Sequence, residues 1–574
     1  MPQLTTGPLT ADDDGAGAAR PALLERASHW RPTPYLLVGT AFWLVVTITA
    51  WRAPIAADFG QHASAVQRIK DSWLHPMNPL LKEPDTGSPY YSPYIVALGL
   101  FAKVTGLAAW RVVKLCAALN LAVLLWGVGA FTRTLSARRW APVLALAAFT
   151  LLWGVREKEW SGFCGLWSLT HGAVYPSCFA VGLALLLWAW TDRLARREFA
   201  GAGGAGGGRA GAGGAGGGAR SADRRPEGEG ARGDGGAAAR ARPGLFAGWP
   251  SAGRLRGQGL WSFAGLGAAG GVLLLIHPIT ALAAWVGMGC VVAGRQRTWG
   301  WPMAGRWAVA CAAAVLVALV WPYSDVFSLA GDTTVDAVHR FLYTHPWRWY
   351  GLAFVLGVPA LALRARRRLL DPLVLMFLAF CVLVGYGWVS GHYTYGRVFA
   401  LLMVPPQFAL AVELAEAPPW TRTRKVLAPV AAVALCFGAA AQIGSVVPQR
   451  YLPVTVPHPV RWPSYAWVAR HVQSGDVLLA DGYYAPHALP AYGVFLVAPT
   501  WPDPSTPAAE RARRLADARA YLDPRTAPDA RARIGRRYAV QWLLLRPGQN
   551  LHYEGRIVAT NPSTGERLIR LADG

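Results

Sequence analysis

Asp58 follows the first long apolar run by seven residues, that run ending at Trp51. In a chain so rich in apolar runs, a carboxylate at the water boundary is costly unless it is used. Just outside a bilayer it is placed to take a proton from a hydroxyl as a general base. His62 lies one helical turn further on, and Lys82, Glu83 and Asp85 lie in the same loop, which ends in Ser88-Pro89-Tyr90-Tyr91-Ser92-Pro93-Tyr94. His62 and Glu83 are substrate-side candidates. The plainer reading of Asp58 is a cap on a helix over 59–70.

Two later segments carry comparable chemistry. Glu157-Lys158-Glu159 sets two carboxylates one residue apart. Outside a regular helix such a pair can share a divalent cation, Mg²⁺ or Mn²⁺, and Lys158 with Arg156 can hold a phosphate. Arg397 stands where an apolar span begins, in a short loop with Tyr393. A guanidinium there can bind a lipid phosphate bidentately, which makes Tyr393 and Arg397 candidates for substrate binding. His171 and His277 read as structural, with His277-Pro278 breaking a helix. The seven cysteines show no metal-ligand spacing. Cys164 and Cys178 both fall near one surface, which leaves a disulfide between them open.

The elements that must position these groups are membrane helices. Of 574 residues, 53% are hydrophobic and 15% charged, against about 25% charge in a soluble protein. Apolar runs long enough to cross ~30 Å of hydrocarbon recur along the chain. The net charge of +24 does not indicate a nucleic-acid partner, because the arginines cluster in short loops between spans, the pattern of cytoplasmic loops. The reading is an all-α polytopic membrane protein with about eleven transmembrane helices. The spans fall at 34–51, 109–131, 140–154, 173–190, 259–276, 279–294, 305–321, 350–363, 371–388, 398–414 and 426–445. Residues 1–33 form a cytoplasmic tail, and residues 93–106 read as a short helix along the outer interface. Within the membrane domain, 34–445, the Gly/Ala/Arg segment 200–245 reads as a disordered cytoplasmic loop. Residues 446–574 alternate short apolar runs with charged helical patterns at 507–522 and 527–536. They read as a small extracytoplasmic α/β domain. The amino terminus is then inside and the carboxyl terminus outside.

On these residues the chain resembles the GT-C glycosyltransferases, membrane enzymes that use polyprenyl-phosphate-linked sugars. Asp58 matches the position of that family's catalytic acid in the first outer loop. The run Pro89-Tyr90-Tyr91-Ser92-Pro93-Tyr94, with the apolar stretches after it, looks like the interface-helix and second-span pattern of the aminoarabinose and O-mannosyl transferase branch. Glu157-Lys158-Glu159 resembles the second acidic motif of oligosaccharyltransferase catalytic subunits. Gly396-Arg397 with Val404-Pro405-Pro406 looks like the segment that handles the donor phosphate. Asp58 departs from the pattern in being followed by Phe59 rather than a second acid, with His62 standing in that partner's place. The resemblance implies an inverting transferase in the cell membrane, moving a sugar from a polyprenyl-phosphate donor to a cell-envelope glycan or lipid acceptor on the outer face. Asp58 would be catalytic, and Glu157 and Glu159 would hold any metal. The alternatives are a transporter or lipid flippase, which calls for charges deep in the membrane and has Lys114 as its clearest support, and a non-catalytic envelope scaffold.

Overall fold

The computed structural model describes residues 31–83, 87–156, 158–205, 259–296, 300–501 and 503–572. Asp85, Glu157, residues 1–30 of the tail and residues 206–245 of the Gly/Ala/Arg segment lie outside the described residues. Among the described residues nine helices are long and apolar enough to cross a membrane: Pro34–Arg52, Ala109–Leu135, Pro176–Arg196, Gly259–Ile276, Pro278–Arg295, Trp301–Leu319, Pro372–Ser390, Tyr393–Ala415 and Arg422–Ser445. The protein is a multi-pass membrane protein. Two further expected spans lie outside that set but still run between the two ends of the bundle, since Arg138 reaches Glu416 and Arg367 holds Glu413 at one end while Gly154 abuts Arg348 at the other. Ala141–Leu151 has only 11 residues, about 16 Å at 1.5 Å per residue. Pro346–Arg367 has 22 residues but carries Arg348, Arg364, Arg366 and Arg367.

Helix starts follow local chemistry. Thr33, Ser92 and Asp371 each accept a backbone N–H at a helix start, and each precedes a proline whose missing N–H costs nothing there. Ala109–Leu135 and Pro176–Arg196 approach closely through small residues. A Cβ added at Gly127 would stand 2.5 Å from the Gly182 carbonyl oxygen, the small-residue packing that membrane helices favour.

The arginine-rich loops meet at one end of the bundle. Arg196 and Arg295 share Asp192 at 2.6 and 2.8 Å, and Arg367 and Arg424 both hold the buried Glu413 at 2.8 Å. Arg138 reaches Glu416 at 3.7 Å, and Arg368 donates to the Gly294 carbonyl. Lys114 donates to the carbonyls of Trp51 and Ala53 at 2.8 and 2.7 Å. It therefore caps the end of the first span.

The carboxyl-terminal domain holds a five-stranded sheet in the order β2-β1-β3-β5-β4: β1 Val477–Ala480, β2 Phe495–Leu496, β3 Trp542–Leu545, β4 Gly555–Thr560 and β5 Arg567–Leu571. β1, β2 and β3 are parallel, while β5 runs antiparallel to both β3 and β4. Helices Ala508–Leu522 and Pro528–Tyr538 match the two charged patterns of the sequence.

This domain is fastened to the Asp58 loop and the helix after it. Leu496 N–H donates to the Leu80 carbonyl at 2.8 Å, extending the sheet edge by an isolated bridge between Leu81 and Leu496. The buried Arg68 donates to the Gly493 carbonyl at 2.8 Å and lies 3.5 Å over the Phe495 ring. Ser474 donates to Asp71 at 3.2 Å. The domain therefore lies on the same side of the bundle as Asp58.

Candidate active site

Asp58 sits between the first span and the helix Phe59–Asp71. Its backbone precedes that helix, yet its side chain makes no cap hydrogen bond, so the capping reading is overturned. Ala57 beside it has φ 47°, a left-handed conformation that costs a non-glycine residue ~1–2 kcal/mol. Strain of this kind persists where surrounding structure fixes it and is frequent at functional sites. Lys114 fixes one side of the turn. Tyr175 fixes the other, donating its hydroxyl to the Ala56 carbonyl at 3.1 Å. Tyr175 is itself held through Asn120, whose amide donates to the Ala173 and Tyr175 carbonyls at 2.8 and 3.2 Å.

The charge facing Asp58 is Arg397. Burial raises the Asp58 carboxyl above its ordinary range; Arg397 opposes the rise, and Glu159 adds to it. Among the described residues neither the Asp58 carboxylate nor the Arg397 guanidinium has a hydrogen-bond or ion-pair partner, and Arg397 Nε is buried and unpaired. Two opposite charges therefore lie within electrostatic reach without touching.

Three histidines share this space. His62 packs against Tyr90 and Tyr175, with ring centroids 6.0 and 5.3 Å away, and its Nδ1 is buried and unpaired. Burial, with Arg397 adding, pulls it down to about 4. His339 is pulled down to about 3 by the same two causes. His277 caps the helix Pro278–Arg295 by accepting from Thr280 N–H at 3.3 Å. It lies within reach of Arg397, His339 and His62, and its Nε2 is buried and unpaired. Arg397 is positioned from the same group. Asp336 accepts from Thr394 N–H and Oγ1–H, both at 2.7 Å, and His339 Nδ1 lies 3.0 Å from Thr394 Oγ1. Thr394 is the second residue of the 3₁₀ segment Tyr393–Val398, which presents Arg397.

The site thus gathers Asp58, His62, Glu159 and Arg397 of the sequence candidates. It does not gather the others. Lys158 is enclosed by aromatic rings, with Nζ 4.2 Å from the Phe341 centroid and 4.8 Å from that of Trp349, and it donates to the Phe341 carbonyl at 3.0 Å. These contacts tie Lys158 to the segment that carries Phe341 and Trp349. Glu83 is spent on Arg514 and ties the first loop to the carboxyl-terminal domain. Tyr393 packs on Tyr343 and Trp388, with centroids 5.7 and 6.0 Å away. Glu159 stands 3.9 Å from His171. No group of three or more His, Cys, Asp or Glu able to hold a metal occurs among the described residues. Cys164 and Cys178 are both free thiols and both buried. The reading of the sequence missed His277 and His339 as site residues. Their outer-side placement was visible, but nothing in their spacing linked them to Arg397.

No family model matches the sequence, and no curated protein matches it. Solved structures do resemble the fold. The arabinofuranosyltransferase AftD from Mycobacteria matches over 94% of this chain and 42% of its own, at 13% identity and a TM-score of 0.50. ArnT from Cupriavidus metallidurans matches over 96% of this chain and 98% of its own, at 12% identity and 0.45. The Archaeoglobus fulgidus oligosaccharyltransferase matches over 88% and 69%, at 10% identity and 0.42. The chain spans about two fifths of the length of AftD. The fold of this chain is accordingly like that of AftD, with Asp58 just after the first span and Arg397 at the start of a late one.

Proposed function

We propose that this protein is an inverting membrane glycosyltransferase of the GT-C type. It moves a sugar from a polyprenyl-phosphate donor to a cell-envelope glycan or lipid acceptor on the outer face of the membrane. The observation that carries this reading is the unpaired Asp58 carboxylate held within reach of the unpaired Arg397 guanidinium.

In this reading an acceptor hydroxyl lies against Asp58. The carboxylate takes the hydroxyl proton as the oxygen attacks the anomeric carbon. The bond from that carbon to the phosphate oxygen breaks, and the phosphate leaves with its electron pair. Arg397 faces the charge that develops on it. A single displacement inverts the anomeric centre. His62 stays neutral at working pH, so it places donor or acceptor groups by hydrogen bonding without adding charge. A raised Asp58 carboxyl is a stronger base than an ordinary carboxylate.

A second reading adds a divalent cation, Mg²⁺ or Mn²⁺, between Asp58 and Glu159. Its support is that the two carboxylates lie within electrostatic reach of each other. The described residues supply only these two acids, so no step is assigned to the cation. Loss of transfer in a chelator, restored by Mn²⁺, would establish it. The membrane orientation belongs to the same proposal: amino terminus inside, carboxyl-terminal domain outside.

The test is transfer by the purified protein in lipid nanodiscs. Polyprenyl-phosphate sugars are supplied with a cell-envelope extract, and product anomers are read by NMR. Transfer with inversion by the wild type, lowered ~10²–10⁴-fold in Asp58→Asn, is the expected result. Retention of configuration would overturn the mechanism, and absence of transfer from every such donor would overturn the function.

A further inference from the structure

An aromatic cluster of the carboxyl-terminal domain opens beside Asp58. Tyr483 and Tyr484 follow β1 and remain 53% and 37% exposed. Trp462 packs against both, with centroids 5.5 and 4.9 Å away. His487 lies 4.4 Å from Tyr483 and 5.2 Å from Trp501. The cluster is held close to the catalytic loop by backbone contact: a Cβ added at Gly60, two residues from Asp58, would meet the His487 carbonyl oxygen at 2.0 Å. Tyr483 also lies within electrostatic reach of both Asp58 and Glu159.

The polar atoms here are incomplete in a particular way. His487 is 7% exposed, and its Nδ1 donates to the Tyr483 carbonyl at 2.6 Å. A neutral imidazole whose Nδ1 carries the proton has an acceptor at Nε2, and burial holds His487 below its ordinary range. That Nε2 is buried with no partner, and so is the indole N–H of Trp501, a donor. His487 also lines a cavity of about 260 Å³ at the carboxyl ends of β1 and β2, together with Asp481, Thr500 and Arg519. Ligands of open parallel sheets bind beyond the carboxyl ends of the strands. An unpaired acceptor and an unpaired donor in neighbouring rings are what a hydroxyl group satisfies, since it both donates and accepts. The apolar face of a sugar ring presents C–H groups, and aromatic faces carry the negative side of the ring quadrupole.

We propose that Trp462, Tyr483 and Tyr484, with His487 and Trp501 behind them, form the acceptor subsite and bind a neutral saccharide. The sugar stacks on the exposed tyrosines and places a hydroxyl between His487 Nε2 and the Trp501 indole. The next sugar is then directed toward Asp58. This assignment rests on the glycosyl-transfer reading for its role, but binding is separable from transfer.

The experiment uses the full-length protein in nanodiscs and soluble synthetic tetrasaccharides of mannose, galactose, glucose and arabinofuranose, read by saturation-transfer NMR. At least one tetrasaccharide should bind the wild type. Tyr483→Ala should weaken that binding roughly tenfold, whereas Tyr483→Phe, which keeps the ring face, should leave it within about threefold. His487→Phe should weaken binding while retaining an aromatic ring. In transfer assays Tyr483→Ala should raise the acceptor KM with little change in kcat. Saccharide binding that depends on Tyr483 in a protein with no transferase activity would sink the catalytic reading and leave the subsite standing. No binding of any tetrasaccharide to the wild type, or binding indifferent to Tyr483→Ala, would overturn the subsite. So would Tyr483→Ala changing only bilayer insertion, which would make these rings a membrane anchor.

Discussion

Asp58→Asn separates the chemistry of this loop from its structure. Asp58 makes no capping bond, so an amide there neither loses nor gains a cap. Its carboxyl is raised by burial, with Arg397 opposing and Glu159 adding to the rise. A carboxyl raised on folding stabilises the protein below the ordinary value of 3.8, and that contribution is lost as pH rises through the folded value. At neutral pH the ionised group is therefore a net cost, and the neutral amide should leave thermal stability unchanged or slightly higher. Transfer should fall ~10²–10⁴-fold, the usual worth of a general base, equivalent to about 2.7–5.5 kcal/mol of barrier. The assay pairs initial transfer rates in nanodiscs with a thermal melt of the same preparation. The acidic limb of the wild-type rate profile should lie above the ordinary carboxylate range, because the base must be ionised to act, and it should vanish in the variant. Full activity with lowered stability is the outcome that refutes the reasoning, since it would make Asp58 a structural residue.

Four further outcomes follow from the same geometry. His62 and His339 fold with values near 4 and 3, against 6.5 when free; the unfolded chain then binds more protons through this window, and stability should fall by about 1.4 kcal/mol per pH unit for each as pH drops below 6.5. His62→Gln should flatten that slope in pH-dependent melts, and an unchanged slope would show that His62 is not buried neutral. Lys158→Met keeps the aliphatic stem among Phe341 and Trp349 but loses the cation and its hydrogen bond, so it should cost roughly 1–3 kcal/mol of stability without raising the donor KM; a selective rise in donor KM would return Lys158 to the substrate site. Ala57→Gly relieves the left-handed strain at a smaller entropic cost, so a melt should show stability held or raised by up to ~1 kcal/mol, with turnover reduced because Asp58 is less firmly directed. A reporter active only in the cytoplasm should be silent when fused after Arg450, and a bright signal would reverse the proposed orientation.

What could be read from the sequence follows the range of each interaction. The spans were legible because hydrophobic length is a local property, and so were the helix starts at Thr33-Pro34, Ser92-Pro93 and Asp371-Pro372, where cap and proline are adjacent. Ala141–Leu151 and Pro346–Arg367 are the less regular of the expected spans, the first short and the second carrying four arginines, and both still join the arginine-rich end of the bundle to the Asp58 end. β1, β2 and β3 were marked by short apolar runs. The β4–β5 hairpin was not, because β4 is largely exposed along Gly555–Thr560 and its apolar run, Ile557-Val558-Ala559, is only three residues long. Asp58 was legible from its distance to Trp51, and Arg397 from its place at the start of a span. Their partnership with His277 and His339 was not, since it is made by helices that meet only after folding. Lys158 shows the reverse error. Its neighbours in sequence, Glu157 and Glu159, suggested a phosphate or metal site, while its neighbours in space are aromatic rings from residues 341 and 349. A basic residue between two acids looks like chemistry along the chain, but its role is set by the residues that fold around it, and for Lys158 those are the Phe341 and Trp349 rings and the Phe341 carbonyl.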